Sequence, residues 1–299
     1  MIPYHLPALL SESIAGLNLK PDGIYVDVTF GGGGHSRAIL EHLTTGKLIA
    51  FDQDADAAVN AINDTRFTLL NQNFRFLKNN LRFLGISTID GLIADLGVSF
   101  HQFDEHERGF SFRSDAELDM RMNRQSPMKA SDILRIYDEG QLANIFYRYG
   151  ELTNSRKLAD AIVKARAIKP VTTTKDLMSA LEGLVPPREE NKFYAKLYQS
   201  LRIEVNHELE ALKELLTQAL QLLAKGGRIA VITYHSLEDR LVKNFFRTGN
   251  FEGKNEKDFY GNVTTPLRTV NRKVIVPSEK EIAENSRARS ARLRIAEKI

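Results

Sequence analysis

The sequence predicts an α/β fold: a doubly wound parallel sheet interrupted by a helical insertion. Three observations carry this. Alternating apolar residues (Ile24, Val26, Val28) run into Gly31-Gly-Gly-Gly34 and then into a helix-like segment opened by His35 and Ser36. Short apolar runs then alternate with segments of helical spacing up to residue 96. Beyond Phe103 the strand signal disappears, and it returns only after Gly227. Such alternation reads as βαβ units, whose strands are parallel and whose helices cover both faces.

The elements follow in order. Residues 24–28 form the first strand, the glycines a loop, and the segment after His35 a helix. Residues 47–51 are an apolar strand ending in Asp52. Helical spacing covers residues 55–62, and residues 67–70 read as a third strand. Phe74, Leu77, Leu81 and Leu84 share one helical face. Residues 89–96 form a fourth strand that runs into Asp95-Leu-Gly-Val-Ser99. Residues 130–136, 139–149, 155–167 and 174–184 have helical spacing, punctuated by Lys169-Pro170 and Pro186-Pro187. This stretch is too long for a crossover and reads as an inserted helical domain. A helix is expected over residues 194–223, stopped by Gly226-Gly227. A strand over 228–234, a helix over 237–246, a polar loop over 249–261 and two late strands near 267–276 and 291–296 complete the chain. The expected division is 1–102 and 194–299 for the sheet domain, with 103–193 inserted.

Composition narrows the class. The 299 residues suffice for one large or two medium domains. The 42% hydrophobic and 26% charged content are those of a globular chain. Cysteine is absent, which excludes disulfides and thiolate metal sites. No His or carboxylate set has a recognised ligand spacing, so no metal is expected. No apolar run approaches ~18 residues, and Met1-Ile-Pro-Tyr-His5 lacks the charged and apolar regions of a secretory signal. A cytoplasmic protein without membrane contact is expected. Net charge is only +3, but residues 287–299 hold Arg287, Arg289, Arg292, Arg294 and Lys298 against Glu297 alone. A basic terminus of this kind serves nucleic-acid contact or is simply solvated.

The glycine loop chooses among nucleotides. Gly31 and Gly33 supply two glycines of a dinucleotide fingerprint, but Ser36 stands where the third belongs. Asp27, four residues before the loop, would repel a pyrophosphate. It suits a cationic, amino-acid-like ligand. Asp52, about 20 residues past the loop, can accept both hydroxyls of a ribose. An acid ending the first strand, a glycine loop and an acid ending the second fit S-adenosylmethionine, which has a ribose, a sulfonium and an ammonium but no phosphate. An ordinary tight turn explains the glycines without explaining the spaced acid.

Three further motifs carry chemistry. Asp95 ends the fourth strand, beside the crevice where α/β sheets bind ligands; it either faces a substrate or caps the following turn. Arg108-Gly-Phe-Ser-Phe112 and Leu118-Asp-Met-Arg-Met122 interleave aromatics with basic residues. Phe110 and Phe112 could stack on bases, with Arg108, Arg113, Arg121 and Arg124 meeting phosphates, or the loop could pack its aromatics on the core. In Tyr234-His-Ser-Leu-Glu-Asp-Arg240, Ser236 can cap a helix with Glu238 and Asp239 in its first turn. His235 would then lie at the sheet edge. The absence of a G-x-S-x-G elbow argues against a serine hydrolase.

With these motifs stand His5-Leu-Pro-Ala-Leu-Leu-Ser-Glu12, Leu201-Arg-Ile-Glu-Val-Asn206 and Asn285-Ser-Arg-Ala-Arg-Ser-Ala291. In order from residue 5 to the C-terminus, the set resembles the bacterial small-subunit ribosomal RNA cytosine-N(4)-methyltransferase family. The resemblance implies a class I, Rossmann-like methyltransferase sheet with an inserted, mainly helical substrate-recognition domain. It implies S-adenosyl-L-methionine as donor and a decoding-centre cytidine of 16S rRNA as acceptor, in the small subunit or a late assembly particle. A homodimer is left open. Cofactor positions map to Gly33, Gly34, His35, Asp52, Phe74, Asp95 and Gln102. Asp95 and His235 are the catalytic candidates, and Arg108, Phe110, Phe112, Arg113, Arg121 and Arg289 the RNA candidates. The chain departs from the pattern at Phe100, at residues 191–200, and at Tyr234, where phenylalanine is common.

Overall fold

The computed structural model describes residues 7–98, 105–257, 259–260 and 263–299. The chain forms two compact units, Met1–Gly97 with Leu209–Ile299, and Val98–Glu208.

The first unit is built on a seven-stranded sheet. Its strands are β1 (Ile24–Asp27), β2 (Lys47–Phe51), β3 (Phe67–Leu70), β4 (Ile89–Asp95), β5 (Leu223–Thr233), β8 (Leu267–Thr269) and β9 (Arg292–Lys298), in the order β3-β2-β1-β4-β5-β9-β8. The first five are parallel, and β9 enters antiparallel between β5 and β8. The order reverses at β1 and β4, so the crevice at the carboxyl ends of these strands is the topological switch point where such sheets bind ligands. Two short strands, β6 (Glu256–Lys257) and β7 (Val263–Thr264), pair separately as a hairpin.

Strand alternation explains the layers. Val26, Val28, Ile49, Phe51, Leu92, Ala94, Ile229 and Val231 point to one face. There they meet Leu77 and Leu81 of α3 (Leu77–Phe83), Leu212, Leu215 and Leu216 of α9 (Glu208–Leu222), and Val242, Phe245 and Phe246 of α10 (Ser236–Thr248). Tyr25, Leu48, Ile93, Ala230, Ile232, Leu293 and Ile295 point the other way, onto α1 (Leu10–Leu17) and α2 (Gly34–His42). A sheet buried on both faces needs near-continuous apolar strands, which is what made β2 and β4 conspicuous.

Three elements of this unit differ from the sequence reading. The segment after Asp54 is a 3-10 helix, Ala55–Asn60, whose first turn the Asp54 side chain caps. The Gly226-Gly227 pair lies inside β5: the β4–β5 register jumps from Ile89↔Leu223 to Gly91↔Arg228, with Gly226 at φ +79° forming the excursion. The late strands are shorter at 267 and longer at 292 than expected, because Ile275 makes only an isolated bridge to Leu293.

The second unit is helical: α4 (Ala130–Ile136), α5 (Glu139–Arg148), α6 (Ser155–Ile168), α7 (Thr174–Ala180) and α8 (Glu190–Asn206). Capping boxes at Asp138/Gln141 and Thr173/Asp176 start α5 and α7. Ile133, Phe146, Ile162, Leu177, Leu197 and Leu201 are fully buried. The unit extends past the expected 103–193. The 194–223 helix is in fact two helices, parted at His207 in the left-handed region at φ +50°. The buried positions of α8 (Phe193, Leu197, Leu201) belong to the helical unit, so the apolar spacing runs across a unit boundary it cannot register. The Asn206 carboxamide ends α8. It accepts the Met122 amide at 2.7 Å and donates to Met120 O at 2.8 Å, holding Met120 at φ +57°.

Candidate active site

The site is built at the carboxyl edge of β1, β2 and β4. β1 ends in Asp27, which is buried. Its carboxylate faces inward, accepting the Thr29 amide at 3.0 Å and the Ser36 hydroxyl at 2.7 Å. It therefore ties strand, loop and helix together. Burial pushes its pKa up, and the nearby His35 opposes that most. The loop needs its glycines for conformation and space: Gly31 and Gly33 have φ of +49° and +76°. At Gly33 a Cβ would lie 2.6 Å from Arg37 Nη1 and 2.9 Å from the Phe30 ring. Asn60 Nδ2 and Arg37 Nη1 fix the Gly31 and Gly32 carbonyls at 3.0 and 2.7 Å. α2 starts at Gly34, leaving the unpaired amides of its first turn at the loop.

Asp52 is part of the same construction. Its Oδ2 accepts the Gly31 amide at 2.7 Å and its Oδ1 the Asp54 amide at 2.9 Å. A carboxylate offers about four acceptor positions, so each oxygen keeps one. Burial raises its pKa to about 6 against these two bonds. Phe74 opens a 3-10 turn capped by Asn73, whose Nδ2 donates to Gln53 Oε1 at 2.6 Å. That bond joins the tips of β2 and β3 and sets Phe74, half-buried, close to the Asp52 turn.

Asp95 closes the third side. Its amide donates to Thr29 Oγ1 at 2.6 Å, and its Oδ1 accepts the Gly97 amide at 3.3 Å. Burial raises its pKa, while His35 and a hydrogen bond from the Tyr234 hydroxyl lower it. His35 is 5% exposed, and its Nε2 has no hydrogen-bond partner among the described residues. Both Asp27 and Asp95 feel His35, so this unpartnered nitrogen lies among the acids of the edge. The sequence reading missed Thr29 and Asn60, and marked Tyr234 only as a departure from the family pattern. Thr29, two residues past Asp27, had a signal in the Asp-x-Thr spacing of a side-chain turn; Asn60 had none.

Gly33, Gly34, His35, Asp52, Phe74 and Asp95 thus come together, and Gln102 lies outside the described residues. His235 lies just past the end of β5, at the carboxyl edge as expected, but it is the helix cap that differs. His235, not Ser236, caps α10: its ring accepts the Glu238 amide, and its Nε2 lies 3.1 Å from Glu238 Oε1. Glu238 Oε2 in turn accepts the Tyr234 amide at 3.0 Å. The imidazole Nδ1 is thus engaged in its own helix start, while Nε2 makes no hydrogen bond among the described residues.

The RNA candidates divide. Arg108 is 4% exposed and donates to the Arg121 and Met122 carbonyls, and Phe110 is 7% exposed. Phe112 packs on Tyr194 and Tyr198 at 5.8 and 5.7 Å. Arg121 forms a two-pronged ion pair with Asp119 and also donates to Ser126 O. Arg108 and Phe110 are buried and Phe112 and Arg121 half-buried, and all four make contacts that support the loop of the helical unit. Arg113 and Arg289 are exposed. At the C-terminus Arg294 is held by Asp239 at 2.7 Å, with Arg292 3.6 Å from the same carboxylate.

The MraW methylase family matches residues 3–299, which takes in every element described. The chain belongs to this family. Two curated relatives are similar over nearly the whole chain, both called ribosomal RNA small subunit methyltransferase H. The protein of Phocaeicola vulgatus is 57% identical over 296 residues, 99% of this chain and 97% of its own. That of Bacteroides thetaiotaomicron is 58% identical over 298 residues, 99% and 98% respectively. Among solved structures, an rRNA methylase from Streptococcus thermophilus aligns with a TM-score of 0.42 at 14% identity, covering 96% of this chain and 93% of that one.

Membership makes the chain a methyltransferase whose donor is S-adenosylmethionine. The MraW fold edge fits that group. Asp52 keeps acceptor positions for a ribose diol, Asp27 and Asp95 make the edge hostile to phosphate and favourable to a cation, and His35 offers an unpartnered buried nitrogen. Among the described residues no helix is long and apolar enough to cross a membrane.

Proposed function

We propose that this chain methylates the exocyclic N(4) amine of a decoding-centre cytidine in 16S rRNA of the small ribosomal subunit. The observation that carries the reading is the placement of Asp95 at the end of β4, on the edge that also holds Asp52 and the glycine loop. S-adenosylmethionine supplies an electrophilic methyl group on a sulfonium. Gly33, Gly34, His35, Asp52, Phe74, Asp95 and Gln102 are the residues that hold it.

The cytosine amine is a poor nucleophile because its lone pair is delocalised into the ring. Alignment of that nitrogen provides much of the acceleration. A carboxylate accepting one N–H favours the pyramidal, reactive geometry and receives the proton the amine loses when its new N–C bond forms. Asp95 has the acceptor capacity for this, since a carboxylate offers about four acceptor positions and the Gly97 amide and Tyr234 hydroxyl take two of them. His235, bound up in its cap, is the less suited base. The cytidine must be unstacked to reach such an edge, and the exposed Arg113 and Arg289 are each candidates for contact with RNA phosphate. The substrate is the small subunit or a late assembly particle, a soluble target consistent with action in the cytoplasm.

Mass spectrometry of 16S rRNA nucleosides from cells with and without this protein tests the reading. N(4)-methylated cytidine that is lost with the protein and restored by it is the expected result. An unchanged nucleoside profile overturns it.

A further inference from the structure

We propose that Tyr234 is a positioning residue for Asp95, its hydroxyl orienting the carboxylate that accepts the proton. The inference rests on the reading of Asp95 given above and deepens it. Its geometric basis has three parts. First, the sheet edge makes room for the ring: a Cβ on Gly97 would lie 2.8 Å from Tyr234 Cε2 and 3.2 Å from its hydroxyl oxygen. Only glycine lets the phenol lie across the turn that follows Asp95. Second, the backbone of Tyr234 is fixed from the other side, its amide donating to the buried Glu238 carboxylate at 3.0 Å. Third, the phenol hydroxyl is hydrogen-bonded to Asp95. The hydroxyl is thus held at Asp95 by a backbone anchored on Glu238 and by the space that Gly97 leaves.

The consequence is electrostatic as well as geometric. A hydroxyl donating to a carboxylate stabilises the charged form. It therefore works against burial, which favours the neutral acid at this position. The same contact holds the phenol proton in place, pushing the tyrosine pKa up, after burial. Other titratable groups face the pair: Asp27 and His35 from the β1 edge, Glu238 from α10, and Glu281 from α11 (Glu279–Glu284). Asp27, Glu238 and Glu281 are acids, and each negative charge makes ionising Asp95 harder. The phenol donor offsets them without bringing a positive charge that would repel the cationic donor.

The test compares the parent, Tyr234→Phe, Asp95→Asn and the double variant as full-length chains. The Asp95 carboxyl is titrated by carbon NMR, assigned with Asp95→Asn, and single-turnover methyl transfer is followed against pH at saturating cofactor. Tyr234→Phe keeps the ring and removes only the hydroxyl, so thermal unfolding should be close to that of the parent. The Asp95 midpoint should rise by about one unit, so the loss of transfer should approach about tenfold below both midpoints and vanish well above them. In the Asp95→Asn background the second substitution should add nothing, because the two act as one unit. An unmoved carboxyl midpoint in folded Tyr234→Phe overturns the proposal, as does an equal loss of rate at every pH. A moved midpoint alongside normal transfer by Asp95→Asn overturns the role of Asp95 as acceptor but leaves the hold of Tyr234 on it intact.

Discussion

The Oδ2 of Asp52 accepts the backbone amide of Gly31 at 2.7 Å. The acid at the tip of β2 and the loop after β1 are therefore one device. A carboxylate that binds a ribose also sets the conformation of the loop beneath the rest of the nucleoside. Asp52→Ala removes both functions: the ribose hydroxyls lose their acceptor and the loop its anchor. Affinity for S-adenosylmethionine should fall by about 1–3 kcal/mol or more. Isothermal calorimetry on the folded variant checks this, and an unchanged dissociation constant rejects the assignment.

The same carboxyl makes binding depend on pH. Burial raises the Asp52 pKa to about 6, with Asp54 and Asp27 adding repulsion. In the free protein the group is therefore protonated below that value, and a protonated carboxyl has lost one acceptor oxygen. Ribose hydroxyls favour the ionised form, so cofactor binding must expel the proton. Affinity should be flat above about pH 7 and decline as pH falls through 6. Asp52→Asn should bind more weakly at pH 7.5 and show a flatter profile between 5 and 7. A parent protein binding equally well at pH 5 and 7.5 contradicts this account.

The C-terminal arginines separate by partner. Arg294 forms a two-pronged contact with Asp239, whose carboxylate lies in the first turn of α10. Arg289 is exposed on the preceding 3-10 turn. Arg294→Ala strands a buried carboxylate and should lower stability by about 1–3 kcal/mol, with Arg292 compensating part of the loss. Arg289→Ala should leave unfolding unchanged and flatten the salt dependence of RNA binding. Denaturant melts and filter binding across a salt series separate the two. Equal melts for Arg294→Ala and the parent would remove the structural role.

Asn206 is the corresponding test for the helical unit. Its one side chain accepts the Met122 amide and donates to the Met120 and Arg202 carbonyls. Asn206→Ala leaves these groups unpaired in a partly buried setting and should cost about 1–3 kcal/mol. Hydrogen exchange should quicken around residues 118–123, while the Asp52 turn keeps its protection. Uniform quickening throughout the chain would mean that Asn206 supports more than this loop.

Much of the sheet unit was legible because β2 and β4, buried on both faces, leave runs that no helix pattern imitates. Asp27, Asp52 and Asp95 were legible because strand ends and the glycine loop fix where a carboxylate falls. The helical unit was harder. Arg108, Phe110, Phe112 and Arg121 look like an RNA surface in sequence. Whether an arginine meets a phosphate or a backbone carbonyl depends on how the loop closes, and that closure is set by Asn206, more than 80 residues on in the chain. The same limit hid the contact of Tyr234 with Asp95, which depends on a missing Cβ at Gly97. Ser236 was the cap expected from sequence; His235 takes that place, with the buried Glu238 carboxylate facing its imidazole.

The chemistry is tested at Asp95. Asp95→Asn keeps the shape of the side chain and an acceptor oxygen, so the Gly97 amide can retain its bond. What disappears is the negative charge and the capacity to take a proton. If the carboxylate draws the amine into its reactive geometry, single-turnover transfer at saturating cofactor should fall by about 10²-fold or more, while S-adenosylmethionine affinity changes little. If Asp95 serves only to hold the cofactor, affinity should fall instead, and saturation should restore the rate. The two outcomes differ because saturating cofactor cancels a binding defect and cannot cancel a missing proton acceptor. Near-normal single-turnover transfer would reject Asp95 as acceptor. The search would then move to the unpartnered Nε2 of His35, on the same edge and close enough to influence both Asp27 and Asp95.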